Sequence, residues 1–299
     1  MKILLTGASG LLGRALMKVL SNHNTFQILG LAYSRVHNGL HKLNLLDKHA
    51  VTQLVTEYQP DVILHSAAER RPDVSQSDPE ATQDLNVHAT AHLAQLAKNT
   101  NAWMFYISTN YIFDGTTPPY HPDAPPNPLN VYGQSKLDGE IAIQNITDQA
   151  CILRLPMLYG PVDFIGEDAV TTLAQSLVET PEIKVDHWSP RFPTSVEDVA
   201  QVCRHILEHK SQHTDFNGIF HWASDPSFTK YELAQKIVQE LDLSTTLIPD
   251  PSPPSGAPRP KNCQMDCSAL KNLGLGVQTP LQQAIQVPLN DFNRLRHTL

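Results

Sequence analysis

A tyrosine and a lysine in the middle of the sequence have the spacing of a general acid and its electrostatic partner. Tyr132 and Lys136 lie within Val-Tyr-Gly-Gln-Ser-Lys (131–136), and on a helix residues four apart share one face. A tyrosine with an ordinary pKa of about 10 is a poor acid or base at neutral pH, and a nearby ammonium lowers that pKa. The pair therefore indicates proton transfer, although the same spacing also occurs by chance on surface helices.

Hydroxyl groups precede this helix at the end of a predicted strand. The apolar run from Trp103 leads into Ser108 and Thr109, and a proline-rich loop then separates it from Tyr132. Either hydroxyl can hydrogen-bond the substrate oxygen that Tyr132 would protonate. The sequence leaves the choice between Ser108 and Thr109 open.

The first fourteen residues predict an anion site. A short apolar strand, Ile3–Leu5, ends at a glycine, and a helical pattern opens at Leu11. Gly7, Gly10 and Gly13 form GxxGxxG, a variant of the dinucleotide-binding fingerprint. Helix N–H groups and the helix dipole favour a pyrophosphate there, and glycine permits its close approach. A glycine-rich turn without a ligand is the alternative interpretation.

The end of the second predicted strand indicates which nicotinamide cofactor would bind. This strand, 26–33, continues into Tyr33, Ser34 and Arg35 with no acidic residue, and Arg14 lies just past the glycines. An acid at this place suits the ribose hydroxyls of NAD, whereas an arginine suits the 2′-phosphate of NADP. The sequence favours NADP, with NAD left open and a solvated Arg35 as the alternative.

Two further segments are expected beside the cofactor. Asn44 and Leu45 are candidates to flank the adenine. The third strand, 62–65, ends in the small residues Ser66, Ala67 and Ala68, which leave room for a cofactor against the backbone.

Strands alternate with helices along the chain. Helices are predicted over 51–58, 82–99, 196–207 and 230–241, and further strands over 103–108, 151–155 and 218–222. This alternation predicts an α/β fold, a Rossmann-type doubly wound parallel sheet with right-handed crossovers, and ligands at the carboxyl ends of its strands.

Composition excludes several functional classes. The chain has 299 residues, a net charge of −8 and 41% hydrophobic residues, and its acids and bases are interspersed. Nucleic-acid binding would need a basic face, and no apolar run is long enough to cross a bilayer. The four cysteines are unpatterned and the histidines lack metal-ligand spacing, so we expect a cytoplasmic protein without a metal.

Several motifs together resemble one protein family. They are the glycine turn, Ala67–Asp73, Tyr106–Gly115, Leu129–Gly133 with Lys136–Glu140, Arg191–Thr194, Phe220–Trp222, Thr229–Glu232, Gly256–Pro260 and Asp266–Ser268. Over almost its whole length the chain is similar to the extended short-chain dehydrogenases/reductases, in the branch of dTDP-4-dehydrorhamnose reductase and the regulatory beta subunit of methionine adenosyltransferase.

The resemblance implies roles for individual residues. Thr109, Tyr132 and Lys136 would form the catalytic triad. The residues implied or expected at the NADP site are Gly7, Ser9, Gly10, Leu11, Leu12, Gly13, Tyr33, Ser34, Arg35, Asn44, Leu45, Ser66, Ala67, Ala68, Arg70, Tyr132, Lys136 and Leu158.

Two functions follow from the resemblance. One is an NADPH-dependent reductase of a nucleotide-sugar ketone, as in dTDP-rhamnose biosynthesis. The other is an NADP-binding regulatory partner of a methionine adenosyltransferase catalytic subunit, with little or no catalysis. Asn110, where the reductases usually have Asp, and the run 187–192 depart from the reductase pattern. The short tail 294–299 departs from the regulatory pattern, and we favour the reductase.

The rest of the chain predicts a smaller α/β substrate-binding lobe. We expect a cofactor domain of residues 1–160 and 191–223, and a lobe of 161–190 and 224–299. A proline-rich loop over 248–260 would cover the substrate. Arg154, Arg191, Arg259 and Lys261 are candidates to bind a diphosphate or carboxylate, with structural ion pairs as the alternative. A homodimer is a further expectation.

Overall fold

A computed structural model describes residues 1–37 and 39–297. In these residues the strands, β1 to β11 in chain order, are Lys2–Thr6, Gln27–Ala32, His41–Lys42, Val62–His65, Trp103–Thr109, Ala150–Leu155, Leu158–Tyr159, Glu182–Asp186, Thr194–Ser195, Gly218–His221 and Thr246–Asp250. The α-helices, α1 to α12, are Leu11–Ser21, Lys48–Tyr58, Pro72–Ser77, Pro79–Gln83, Ala89–Thr100, Val131–Ile146, Ala169–Glu179, Val196–Gln212, Lys230–Glu240, Ser268–Asn272, Leu281–Ala284 and Gln286–Arg296.

A parallel sheet of seven strands forms the centre of the described fold. Its order is β10-β6-β5-β4-β1-β2-β3, and every neighbouring pair is parallel. The central strands are continuous apolar runs, as expected for strands that are buried on both faces. The prediction of a Rossmann-type doubly wound sheet is confirmed. The strand order reverses between β1 and β4, and ligands bind in the crevice at such a point.

Helices cover both faces of the sheet. On one face α1 and α8 pack together over a core that includes Leu16 and Val199. On the other face α2, α5 and α6 cover a second core that includes Val55, Leu93 and Ile143. Each helix contributes an apolar stripe to its core, so the sheet is enclosed and only its edges and strand ends remain open.

A smaller unit follows β7. Strands β8 and β11 pair in parallel beside α7, α9 and α12, with Leu177, Leu233 and Phe292 in the shared core. The prediction of a loop from residue 248 is wrong for 248–250, which belong to β11. Pro249 is tolerated because β11 pairs with β8 alone and has an open edge. The proposed domain boundaries remain a prediction.

The helix predictions hold in type and differ in detail. The predicted helix 82–99 contains a π-helical turn, Asp84–His88, between α4 and α5. Helix α2 begins three residues earlier than predicted because Asp47 caps it, accepting a hydrogen bond from the Ala50 backbone N–H at 3.0 Å. Within the described residues, no helix combines the length and apolar character needed to cross a membrane.

Candidate active site

The glycine turn brings the backbone of β1 close to the start of α1. Gly7 has a φ of +69°, in the left-handed region that favours glycine. A Cβ on Gly13 would lie 2.0 Å from the Gly7 carbonyl oxygen, so only glycine fits there. Gly10 is the N-cap of α1, and no side chain caps the helix. The first N–H groups of α1 can therefore point to an anion, and the turn fits a pyrophosphate.

One cavity of about 610 Å³ opens at the carboxyl ends of the sheet strands. Its wall contains every residue predicted for the cofactor and for catalysis except Arg14. The predicted residues in its wall are Gly7, Ser9, Gly10, Leu11, Leu12, Gly13, Tyr33, Ser34, Arg35, Asn44, Leu45, Ser66, Ala67, Ala68, Arg70, Thr109, Tyr132, Lys136 and Leu158. Residues from β1, β2, β4 and β5 meet there because parallel strands end at the same edge.

Helix α6 presents the tyrosine and the lysine to this cavity. Asn130 caps the helix, since its side-chain oxygen accepts a hydrogen bond from the Gly133 backbone N–H at 2.8 Å. Tyr132 lies in the first turn, half-buried. One turn later the buried Lys136 ammonium donates to the Ile107 carbonyl oxygen at 2.8 Å. Thr109, 6% exposed, ends β5 and lines the same cavity.

The pKa of Tyr132 differs from the sequence expectation. Burial raises the pKa of Tyr132 to about 12, although a hydrogen bond with Thr109 acts to lower it. Burial also lowers the pKa of Lys136 to about 7, which Glu140 partly opposes. The expected lowering of the tyrosine pKa is therefore wrong for this arrangement, because burial, the largest effect, raises it. A tyrosine with this pKa carries its proton at neutral pH and is a weaker acid than an ordinary tyrosine.

Ser108, which also lines the cavity, and Arg154 belong to one buried polar network. The Ser108 hydroxyl donates to the Glu140 carboxylate, and the Arg154 guanidinium pairs with the same carboxylate at 2.7 Å. Arg154 is 3% exposed and Glu140 is 1% exposed. Arg154 is thus a structural ion pair and not the anion ligand considered from the sequence. Because Ser108 is bonded to Glu140, Thr109 is the better candidate to bind the substrate oxygen.

The two arginines predicted for the 2′-phosphate both bond to one carboxylate. Arg35 lines the cavity, and its Nη1 donates to Glu167 Oε1 at 2.7 Å. Arg14 donates to both carboxylate oxygens of Glu167, at 2.9 and 2.7 Å, and is not part of the cavity wall. Arg35, 37% exposed, is therefore the arginine that can reach a ligand.

The far end of the cavity is basic. Arg191, Lys230 and Arg259 all line it. Burial lowers the pKa of Lys230, and the neighbouring charge of Arg191 lowers it further. Asp186 lies 3.5 Å from Arg191, and Asp73 pairs with Arg259 at 2.6 Å. Three cations face two carboxylates, so the cavity end fits an anionic group. Lys261, the fourth sequence candidate, lies over the Trp188 ring outside this wall.

Sequence reasoning missed two residues of this site. Lys230 had a local signal, because Thr229 and Glu232 form a capping box that fixes it in the first turn of α9. Glu167 had none, since the two arginines that bond its carboxylate lie more than 130 residues away in the chain. No cluster of three or more His, Cys, Asp or Glu side chains with metal-binding geometry occurs among residues 1–37 and 39–297.

Comparison with known proteins assigns the chain to a family. The family described as RmlD substrate binding domain matches residues 1–294. Methionine adenosyltransferase 2 subunit beta of Xenopus tropicalis is 44% identical over 294 residues, 97% of this chain and 88% of that protein.

Two reductases are similar over the same length. The dTDP-4-dehydrorhamnose reductase of Aggregatibacter actinomycetemcomitans is 27% identical over 98% of this chain and 96% of its own. The crystal structure of the Bacillus anthracis dTDP-4-dehydrorhamnose reductase in complex with NADP superposes with a TM-score of 0.79, at 25% identity, and covers 100% of this chain and 99% of that one. The family resemblance stated from the motifs is therefore confirmed.

Proposed function

The chain belongs to the RmlD substrate-binding-domain family, and we propose that it is an NADPH-dependent reductase of a ketone on a nucleotide-linked sugar. The observation that carries this proposal is the convergence of Thr109, Tyr132 and Lys136 with the glycine turn on one cavity. By analogy with the related reductases, the substrate would be the 4-keto group of a dTDP-linked deoxysugar. The pathway would be dTDP-rhamnose biosynthesis.

The residues of the cavity fit a nicotinamide dinucleotide. The uncapped start of α1 would hold the pyrophosphate, Asn44 and Leu45 would flank the adenine, and Arg35 would meet the 2′-phosphate. When bound, NADPH supplies a hydride. NADP is the proposed cofactor because the strand end carries Arg35 and no acid, and because a similar reductase was solved with NADP.

Tyr132 is the proposed proton donor. Its phenol, with a pKa near 12, is protonated at neutral pH and can give its proton to the ketone oxygen as hydride adds to the carbon. Thr109 would donate a hydrogen bond to the same oxygen. When its amine is protonated, Lys136 would stabilise the phenolate that forms, since the residue follows Tyr132 by one helical turn on the same face of α6. Tyr132 would regain a proton before the next turnover.

The basic end of the cavity supports an anionic substrate. Arg191, Lys230 and Arg259 carry the charge that a diphosphate needs, and two of these side chains are arginines, which bind phosphate oxygens through two N–H groups. Lys230 and Arg259 belong to the predicted lobe. The reacting ketone would therefore lie between the triad and these cations.

Steady-state turnover tests this function. NADPH oxidation, followed by its absorbance, should be detectable with dTDP-4-dehydrorhamnose, and Tyr132→Phe should lower kcat by about 10²- to 10⁴-fold while NADPH binding changes less than about twofold. Tyr58→Phe is the matched control, because the Tyr58 hydroxyl donates to the Gln27 carbonyl oxygen outside the cavity. Unchanged turnover in Tyr132→Phe would refute the assigned acid. No oxidation with any nucleotide-sugar ketone would refute the reductase.

A second function is favoured by two observations. The methionine adenosyltransferase subunit is more similar to this chain, at 44%, than the reductase at 27%. Asn110 and the run 187–192 also depart from the reductase pattern. In this alternative the chain binds NADP as a structural ligand and associates with a methionine adenosyltransferase catalytic subunit. A stable complex of the two purified proteins, without ketone reduction, would support it.

The state of the cysteines bears on the proposed location of the protein. Cys151, Cys203, Cys263 and Cys267 are all unpaired thiols, as is common in a reducing compartment, and we propose the cytoplasm. A homodimer remains a prediction. Size-exclusion chromatography with light scattering measures it directly.

A further inference from the structure

A buried carboxylate lies beside the proposed 2′-phosphate site. Glu167, between β7 and α7, is 1% exposed. Its Oε1 accepts hydrogen bonds from Arg14 and Arg35, and its Oε2 accepts from Arg14 and from the Asp163 backbone N–H. The backbone oxygen of Glu167 also accepts from Arg70 Nη2 at 2.5 Å. This residue therefore joins the loop 161–168 to three arginines that follow different strands of the sheet.

Two carboxylates offset the charges of Arg14 and Arg35 around Glu167. Arg14 and Arg35 carry two positive charges, and Glu167 and Asp163 carry two negative charges, with Asp163 3.0 Å from Arg14. Burial alone would raise the pKa of Glu167, yet the hydrogen bonds from Arg14 and Arg35 lower it to about 2. The carboxylate is thus charged at every pH at which the protein would work.

Of the two arginines bonded to the Glu167 carboxylate, only Arg35 is available to a ligand. Arg14 is bonded to Glu167, to the Ser9 carbonyl oxygen and to the Pro161 carbonyl oxygen, and it lies outside the cavity wall. Arg35 lies in the wall, 37% exposed, with Glu167 as its ion-pair partner. A 2′-phosphate must therefore approach Arg35 in the presence of the Glu167 carboxylate, and the two anions repel each other.

We propose that Glu167 is a specificity-determining residue that competes with the cofactor 2′-phosphate for Arg35. The proposal rests on the proposed function, since it requires that a nicotinamide dinucleotide binds this cavity. NAD, which has a 2′-hydroxyl, binds with the Arg35–Glu167 bond intact. NADP binds by transferring Arg35 from the carboxylate to the phosphate. The protein consequently discriminates less strongly between the two cofactors than Arg35 alone would dictate.

Binding measurements with a matched control test the proposal. Dissociation constants of NADPH and NADH, obtained by calorimetric titration, are compared for the wild type, Glu167→Gln and Asp163→Asn. Glu167→Gln keeps the side-chain shape and should tighten NADPH about tenfold while NADH changes less than about twofold. Asp163→Asn removes the same charge from the same loop but from a 42% exposed residue paired with Arg14, so it should change the NADPH to NADH ratio less than about twofold.

Each contrary result has a distinct meaning. Weaker NADPH binding in Glu167→Gln, or equal effects on both cofactors, would show that Glu167 only holds the loop and would overturn the proposal. Equal changes of the NADPH to NADH ratio in both variants would also overturn it. The loss of any negative charge in this loop would then explain the effect, without a specific role for Glu167. If the wild type binds neither cofactor, the proposed function itself fails.

A measurement on the wild type covers the case in which Glu167→Gln does not fold. A crystal structure with NADP should show Arg35 on the 2′-phosphate and its 2.7 Å bond to Glu167 broken. The corresponding NAD complex should retain that bond. Arg35 bonded to Glu167 in both complexes would overturn the proposal.

Discussion

Single residues in this protein have properties that their neighbours set. Tyr132 and Lys136 share a helix face, but burial changes the pKa of each in the direction that favours the neutral form. A protonated phenol suits reduction, in which the tyrosine gives a proton. The lysine charge becomes sensitive to pH near neutrality. Catalysis in this cavity would therefore depend on pH through Lys136 more than through Tyr132.

Lys136 should also make stability depend on pH. Its pKa is about 7 in the folded protein against an ordinary 10.5, so between pH 7 and pH 9 the unfolded chain binds more protons. The free energy of unfolding consequently rises with pH across this window, and Lys136→Met should remove about 2 kcal/mol of that rise. Urea denaturation at pH 7, 8 and 9 measures it. Lys18→Met, at a 68% exposed side chain, is the control, and equal slopes in both variants would contradict the assignment.

The sequence predicted residues whose role depends on nearby neighbours. Gly7, Gly13 and the pair on α6 were found because their spacing within one turn or helix is itself the signal. Local sequence patterns did not predict the role of Arg154, which was a candidate anion ligand but pairs with Glu140 in the interior. They also gave no indication that Arg14 and Arg35 share Glu167. Ion pairs between distant segments depend on the packed fold, and one chain carries no local trace of them.

At the scale of elements, the glycine turn fixes how β1 and α1 meet. A Cβ on Gly13 would lie 2.0 Å from the Gly7 carbonyl oxygen, and backbone must shift to accept it. Gly13→Ala should lower the free energy of unfolding by more than about 2 kcal/mol and weaken NADPH binding. Gly10→Ala is the matched stability control, because its Cβ would lie 3.2 Å from the same oxygen. Urea denaturation of both variants is the measurement, and equal losses would contradict this geometry.

The segment 251–262 should act as a cover over the basic end of the cavity. Asp73 holds it there, accepting from the Ala257 backbone N–H at 3.0 Å and from Arg259 at 2.6 Å. Asp73→Ala should raise KM for the nucleotide-sugar ketone about three- to tenfold and leave the NADPH dissociation constant unchanged, because Arg259 loses its orientation. Glu80→Ala, an exposed acid on the adjacent helix α4, is the control. An equal rise of KM in both variants would mean that the loss of any nearby negative charge is the cause, and not the loss of the contact between Asp73 and Arg259.

Elements with a strong local pattern were predicted well, and elements formed by pairing were not. The sheet strands β1, β4 and β5 are apolar runs with breakers on either side, so their type and place follow from the sequence. Strand β11 contains Pro249 and adjoins a proline-rich segment, which resembles a loop. It is a strand because β8 provides a parallel partner more than sixty residues away. That partner is a tertiary contact that the local pattern does not contain.

At the scale of the whole molecule, the sheet and the smaller unit have separate cores that meet at the cavity. The alternation of strands and helices predicted a doubly wound parallel sheet with right-handed crossovers, and the observed sheet is of this class. The closure of the smaller unit over the sheet was not predictable, because it rests on contacts such as Arg14 with Glu167 and Asp73 with Arg259. Those contacts join residues far apart in the chain. Both proposed functions use the same fold, so the fold does not decide between them. Measurements of ketone reduction and of complex formation do.

Removing residues after Arg296 separates the two functions. The buried residues of α12, Pro288, Leu289 and Phe292, precede the cut, and among the described residues the cavity wall ends at Cys263. We therefore expect the shortened chain to keep kcat and KM for ketone reduction within about twofold of the full chain. In the regulatory alternative, the full chain forms a complex with a methionine adenosyltransferase catalytic subunit at micromolar concentration, and the shortened chain loses it. Light scattering of the mixtures and NADPH oxidation, measured on the same preparations, distinguish these outcomes. A complex that needs the tail, together with absent turnover, would replace the reductase with the regulator.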